Sequence, residues 1–219
     1  MVNLTAAIGG SKMVGIGFNL SYTLIDRDVS SRIGDGVTIR LSSDEEAAYD
    51  PQTGHSEGLK VAADDSSSTT TVSVGAGVGV GMGSNVSVAV GGTIAFAEID
   101  SSTVAEIAEG ATVDLRNGDA DVAVISDNST TITTIGVGAA ASVSNSVSGA
   151  VGFAAGVNRI QTETGARLGA TVIGSSSNLD ENEVLVDASN SAQFTSVSVA
   201  ASVAVSAGGR VAFAGGGAG

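Results

Sequence analysis

The chain has 219 residues and a net charge of −14, with 9 basic residues, 23 acidic residues and no cysteine. Because phosphate binding needs clustered Lys and Arg, this balance excludes nucleic acid as an expected partner and disfavours an anionic membrane surface. The absence of cysteine excludes disulfides, thiolate metal sites and a cysteine nucleophile. Aromatic residues make up only 3% of the chain, whereas glycine occurs 31 times. Such a composition predicts a thin core of Val, Ile, Ala and Gly rather than a wide globular one.

A segment of about 62 residues recurs along the chain, and two anchors define it. The first anchor is an Ile-x-x-x-(Thr/Val) motif that leads into Gly-x-Thr-(Val/Ile), and it begins at Ile25, Ile99 and Ile160. The second anchor is a triplet with apolar first and third residues, followed by Ser, Asp and Asn residues, and it begins at Leu59, Val122 and Val184. A period of this size indicates a repeat array rather than a compact enzyme core. The repeat copies are expected at about 1–68, 69–130, 131–192 and, incompletely, 193–219, all within a single solenoid over 1–219.

Alternation of apolar residues with small or polar ones runs through every copy, as in Thr71–Val80 and Val197–Val205. A period of two with β-branched enrichment predicts strands. Clusters of Ser, Asp and Asn, such as Asp100–Ser102, divide each copy in three, and Asp65, Asn128 and Asn190 are expected at equivalent turns. The Gly-Ala-Thr-Val segment is expected to turn tightly before a strand, because Gly can take the positive φ of such corners. The sequence therefore predicts an all-β, right-handed parallel β-helix (β-solenoid) of about ten coils of ~20 residues, three per repeat. At the ~4.8 Å strand spacing this would be a rod about 50 Å long.

These motifs resemble the long repeats of filamentous haemagglutinin-like and leukotoxin-like adhesins, the large exoproteins of Gram-negative bacteria. The resemblance covers nearly the whole chain and is cleanest over 69–192. It implies a non-enzymatic structural or adhesive segment of a secreted or cell-surface protein, acting as a rod or stalk. The implied partners are a host or neighbouring cell surface, including its glycans, and further repeats of the same chain. Residues 1–5 lack the basic start of a signal peptide, so the chain is expected to be a piece of a longer extracellular protein.

One insertion, at 42–58, breaks the repeat, and it contains the only Pro, the only His and five acidic residues. Such loops often lie on a functional face. The sharper hypothesis is a Ca²⁺ or ligand contact, because hard cations take several oxygen ligands; its candidate residues are Asp44, Glu45, Glu46 and Asp50. The simpler hypothesis, which the sequence favours, is a solvated insertion. Further acids, expected to form a ridge at the same edge with Arg116 nearby, are Asp114, Asp119, Asp121, Asp180, Glu181 and Glu183.

Enzymatic and membrane functions find little support in the motifs. His55 is the only histidine and no Gly-x-Ser-x-Gly elbow accompanies it, so a catalytic triad is not expected. No cofactor is expected other than Ca²⁺ in the insertion. A carbohydrate-binding or carbohydrate-cleaving β-helix is one alternative. A pore-forming or membrane-inserting β protein is another, although five Phe and two Tyr are few for interfacial aromatic girdles, and no membrane insertion is expected.

A flat array of hydroxyls, as in ice binding, is a further alternative. Thr70, Thr133 and Thr195 are equivalent in the repeats. In coils of ~20 residues they would recur only once per three coils, which is too sparse for a continuous array.

Overall fold

The fold is taken from a computed structural model. The structure describes residues 2–11, 13–42, 49–50, 55–81, 86–117, 121–174 and 183–219. All regular elements in these ranges are strands. The first six are β1 (Val2–Ser11), β2 (Val14–Ile33), β3 (Thr38–Ser42), β4 (Tyr49–Asp50), β5 (His55–Gly81) and β6 (Val86–Ile107). The others are β7 (Thr112–Asn117), β8 (Asp121–Ser144), β9 (Val147–Leu168), β10 (Thr171–Ile173), β11 (Val184–Ser206) and β12 (Val211–Ala218).

Three parallel sheets form the walls of the molecule. Sheet 1 has the order β1-β5-β8-β11, sheet 2 has the order β12-β9-β6-β2, and the short sheet 3 has the order β10-β7-β3. The chain passes through the three sheets in turn and then returns one strand further along. The short β4 adds an antiparallel pair to the start of β5. This architecture confirms the predicted all-β parallel solenoid, with strands following one another about every twenty residues.

The coil is longer than the sequence predicted. In the three pairs of long strands that follow the first coil, hydrogen-bonded partners are 61 to 63 residues apart, as in Leu59↔Val122, Val86↔Val147 and Val122↔Val184. Partners in the first coil are further apart, as in Val2↔Thr70 and Val14↔Val88. One sequence repeat is therefore one coil of three walls, not three coils, and each long sheet is four strands deep. At the ~4.8 Å strand spacing the stack is about 15 to 20 Å deep rather than about 50 Å.

The polar clusters explain the difference. Asp65, Asn128 and Asn190 were expected at turns, but they lie within β5, β8 and β11 as register partners. Asp100–Ser102, another expected turn, lies inside β6. The true corners fall elsewhere, for example at the Gly-Ala-Thr-Val segment, where Gly110 has φ of +85°. Only a residue without Cβ adopts such a φ readily, so that part of the turn prediction is confirmed.

A hydrophobic core fills the wide end of the coil, where the three sheets meet. Its fully buried members come from all three walls and include Ile107, Val113, Leu115, Val122 and Val124. Burying each such side chain stabilises the fold by about 1.5 to 3 kcal/mol. This end therefore anchors the coil.

Away from this core the two long sheets converge until their backbones almost touch. A Cβ added at Gly138 would lie 1.8 Å from the carbonyl oxygen of Phe153, and one at Gly75 would lie 1.8 Å from that of Gly92. Only glycine fits at such positions. Glycine, alanine, serine and threonine consequently face inward here, and the alternating valines face outward. The predicted thin core of Val, Ile, Ala and Gly is therefore divided, with the large aliphatic side chains at the wide end and the small residues here.

Candidate functional site

The insertion proposed as a cation or ligand contact is only partly described. Asp44, Glu45 and Glu46 lie outside the described residues. Asp50 lies in β4, where its backbone pairs with His55 in a short antiparallel hairpin. The hairpin joins sheet 1 through a register irregularity between Glu57 and Leu59. The described part of the insertion is therefore a short antiparallel pair at the start of β5, and its ligand set stays a prediction.

Part of the expected acidic ridge is neutralised by an ion pair. Arg116 donates from Nε to Oδ1 of Asp114 at 2.8 Å and from Nη2 to Oδ2 at 2.5 Å. These hydrogen bonds lower the pKa of Asp114 to about 2. The sequence argument that Arg116 would offset this repulsion is consistent with the geometry.

A second acid of the ridge supports the backbone of the next coil. Asp121 accepts a hydrogen bond of 2.6 Å from the backbone N–H of Glu183 through Oδ1. Asp119, Asp180 and Glu181 lie outside the described residues. Within the described ranges, no three His, Asp or Glu side chains come close enough to hold a metal ion.

The interior between the long sheets holds a hydrogen-bonded set of polar side chains. Asn128 donates from Nδ2 to Ser101 at 2.9 Å and to Thr103 at 3.1 Å, and its Oδ1 accepts from Thr130 at 2.8 Å. Asn128 is 2% exposed. These contacts join sheets 1 and 2 across the coil, so they hold the two walls together rather than bind a ligand.

The same interior position carries a charge in the preceding coil. Asp65, the register partner of Asn128, is buried and lies 2.9 Å from Nη1 of Arg27. The Arg27 side chain is 44% exposed, so this cation reaches inward from the first coil, where β1 does not extend over this part of β5. Arg27 therefore neutralises the only buried carboxylate among the described inward-facing positions of the two long sheets.

The hydroxyl-bearing side chains of sheet 1 lie closer together than the sequence analysis predicted. Thr70, Thr133 and Thr195 are register partners on neighbouring strands, so they lie at the strand spacing and not three coils apart. Neighbouring rows continue the pattern: Ser66↔Ser129↔Ser191 and Ser68↔Thr131↔Gln193. The objection that these hydroxyls are too sparse is wrong, because it depended on the twenty-residue coil.

The outer face of sheet 2 was not identified from the sequence as a surface feature. On β2 its side chains alternate with buried ones, and Ile16 and Leu20 are among the most exposed large apolar residues. The alternation was visible in the sequence, but a period of two does not say which set faces inward. Glycines at the intervening positions were the available signal, because they mark where two backbones approach closely.

The fold defines the class of protein as a parallel β-solenoid with three-walled coils of about 62 residues. Comparison with family models, curated proteins and solved structures gives no match. Among the described residues, no helix has the length and apolarity required to cross a membrane.

Proposed function

We propose that this chain is a non-enzymatic structural segment of a secreted or cell-surface bacterial fibrous protein, forming part of a rod or stalk used in adhesion. The rod follows from the stacked coils. The adhesive role, the extracellular site and the cell-surface or glycan partner follow from the resemblance to filamentous adhesin repeats.

The observation that carries the proposal is the uncovered interior at the β11 end of the stack. Phe194 is the register partner of Ile132 and occupies the same inward-facing position, yet it is 73% exposed whereas Ile132 is fully buried. Val186, the partner of the fully buried Val124, is 44% exposed. In the preceding coil Ile132 is covered by Ala97 and Ile99 of the facing wall, whereas β12 pairs with β9 only as far as Ala218↔Ala154 and does not reach Phe194. A further repeat at this end would extend the rod by one strand spacing.

The close approach of the long sheets supports a structural role. Around Gly138 and Gly75 the interior lacks room even for an added methyl group. The wider parts are filled by the hydrophobic core and by hydrogen-bonded polar side chains. Such an interior suits a stacked repeat structure, because the folding stability of a stack is nearly the sum of the contacts between neighbouring coils.

The rod can be tested by adding one coil. In the extended chain, a second copy of 155–219 follows Ala218, which preserves the register because Ala218 pairs with Ala154. We expect a higher unfolding midpoint and a larger denaturant m-value, since more surface is buried. Phe194→Ala should cost little in the original chain but about 3 kcal/mol in the extended one. An extended chain that is no more stable, or equal costs in both, would contradict stacking.

Adhesion needs a separate measurement. Beads coated with the extended chain should bind epithelial or bacterial cells above the level of beads coated with a heat-unfolded sample of the same chain. Release of reducing sugar from bacterial or host polysaccharides would instead favour the carbohydrate-active alternative. Dye leakage from vesicles would favour the membrane-inserting one. Absence of cell binding with an intact rod would overturn the adhesive role and leave the structural role standing.

A further inference from the structure

Apart from Lys12 and Arg210, whose sequence positions lie between β1 and β2 and between β11 and β12, the charges of this chain lie in one half of each coil. The long stretches that form the convergent part of the two long sheets contain no Asp, Glu, Lys, Arg or His; they are 13–25, 66–97, 128–158 and 188–209. In sheet 2 the first charged outer row is Leu24↔Glu98↔Arg159. Despite the net charge of −14, one half of the molecule therefore meets a neighbour without like-charge repulsion.

The outer face of sheet 2 in this uncharged half is a continuous apolar surface, which we name the sheet-2 face. Its rows run across the four strands and carry Val, Ile, Leu, Phe, Tyr, Ala and Gly. They are Val86↔Val147↔Val211, Val14↔Val88↔Gly149↔Phe213, Ile16↔Val90↔Val151↔Gly215, Phe18↔Gly92↔Phe153↔Gly217, Leu20↔Ile94↔Ala155 and Tyr22↔Phe96↔Val157. The Tyr22 hydroxyl donates to Glu98 Oε2 at 3.0 Å and marks the border with the charged half.

This face has projecting aromatic rings set beside hollows. Phe213 is 64% exposed and has Gly149 as its neighbour, where a Cβ would meet nothing within 4 Å. Phe153 neighbours Gly217, which is equally open, and its ring packs on that of Phe18 with centroids 5.9 Å apart. Rings and hollows on one surface make that surface self-complementary. Two copies related by a two-fold axis can place the rings of each into the hollows of the other.

We propose that the sheet-2 face is a homodimer interface, covered by the same face of a second copy of this chain. Three of the six rows cross all four strands and three cross only three strands. At about 6.6 Å along the strand and 4.8 Å across for each outward residue, the face covers roughly 670 Å² for each partner, which is within the range of a standard stable interface. Its aromatic anchors are the residue types that carry most of the binding energy in such contacts. The proposal does not depend on the adhesive role, because pairing needs only the folded coils.

Two other occupants fit the face less well. A charged partner would find no opposite charges on it. A hydrocarbon phase would surround the edges of the sheet, where β2 and β12 each have a strand neighbour on one side only. Backbone groups at such an edge lose water without gaining partners, which costs several kcal/mol for each unsatisfied group. Face-to-face pairing of sheets leaves both edges in water.

The experiment compares matched double variants by sedimentation equilibrium between about 1 and 100 µM, with circular dichroism to confirm the fold. The face variant is Ile16→Ser with Phe213→Ser, two positions that are 63% and 64% exposed. The control is Val199→Ser with Val203→Ser on the outer face of sheet 1, at 48% and 59% exposed. We expect the natural chain to be a dimer in this range. The face variant should raise the dissociation constant by about 30-fold or more, and the control should not change it.

A monomeric natural chain at 100 µM would overturn the proposal. So would a dimer that the control dissociates and the face variant does not, since sheet 1 would then be the interface. Open-ended growth beyond a dimer would indicate pairing through strand edges. Flotation of the natural chain with phosphatidylcholine vesicles would identify a lipid surface as the occupant. If the face variant failed to fold, the single change Phe213→Ser on the edge strand β12 would take its place.

Discussion

Asp65 and Asn128 are register partners on neighbouring strands, and both point into the narrow space between the two long sheets. One is neutralised by Arg27 and the other is surrounded by hydroxyls. In the next coil the same position is Asn190, which is exposed and donates to Thr162 Oγ1 at 2.7 Å. The same repeat position is therefore ion-paired in one coil, hydrogen-bonded and buried in the next, and exposed in the last. Equivalent substitutions at this position can be compared to measure how much the buried hydrogen bonds stabilise the fold.

Replacement of Asn128 by leucine should destabilise the solenoid by about 3 kcal/mol. The change removes three hydrogen bonds and leaves the buried hydroxyls of Ser101, Thr103 and Thr130 without their amide partner. Asn190→Leu is the matched control and should change the free energy of unfolding by less than about 1 kcal/mol, because that side chain is exposed. Urea unfolding followed by circular dichroism gives both values. Equal costs at the two positions would show that the interior hydrogen bonds do not hold the walls together.

Gly138→Ala should be among the most damaging single-methyl changes in the chain. Its Cβ would lie 1.8 Å from the carbonyl oxygen of Phe153, which belongs to the opposite sheet and has no freedom to move aside. We expect a loss of about 3 kcal/mol or more in the free energy of unfolding. Gly34→Ala serves as control, because its Cβ would meet nothing within 4 Å and it lies outside the sheet-2 face, and it should be neutral or slightly stabilising. Tolerance of both changes would mean that the walls are further apart than described.

Strand content and stacking could be predicted from the sequence because the period of two and the 62-residue repeat are both explicit in it. The residues of the wide core, such as Val122 and Ile107, fall within the two anchors. The coil length could not be predicted in the same way. Ser, Asp and Asn favour turns in general, and nothing local distinguishes a turn asparagine from Asn128, whose partners Ser101 and Thr103 are 27 and 25 residues away.

The sequence also did not show which of the alternating side chains in each strand face the interior. In a strand such as β8, valines alternate with Gly and Ser, and the usual hydrophobic argument places the valines inside. The structure places Gly138 inside instead, because the two long sheets touch there. That contact depends on the path of the whole coil. The Ca²⁺ hypothesis for the insertion could be formed from composition alone, but its geometry rests on Asp44, Glu45 and Glu46, which lie outside the described residues.

Neutralising the insertion should leave the solenoid unchanged if the simpler hypothesis is right. The variant carries Asp44→Asn, Glu45→Gln, Glu46→Gln and Asp50→Asn. We expect its thermal midpoint to match that of the natural chain in both EDTA and millimolar CaCl₂, because the hairpin lies outside the stacked strands. Isothermal calorimetry with CaCl₂ should then give no saturable heat for either chain. Saturable binding by the natural chain that the variant loses would establish the cation site at these four residues.

The Asp114–Arg116 pair predicts a pH dependence at β7, the central strand of sheet 3. Because the pKa of Asp114 is lowered from 3.8 to about 2 in the folded chain, the pair stabilises the fold fully above the ordinary value. That contribution is lost as the pH falls from about 4 towards 2. Arg116→Gln should return the pKa of Asp114 towards 3.8, since the Arg116 side-chain hydrogen bonds are the largest cause of the shift. Carboxyl-carbon NMR titration measures this directly. The control is Arg167→Gln, which removes an exposed cation paired with Glu163, and it should leave the Asp114 titration unchanged. An equal response to both variants would assign the pKa shift to the net charge of the chain rather than to the Asp114–Arg116 pair.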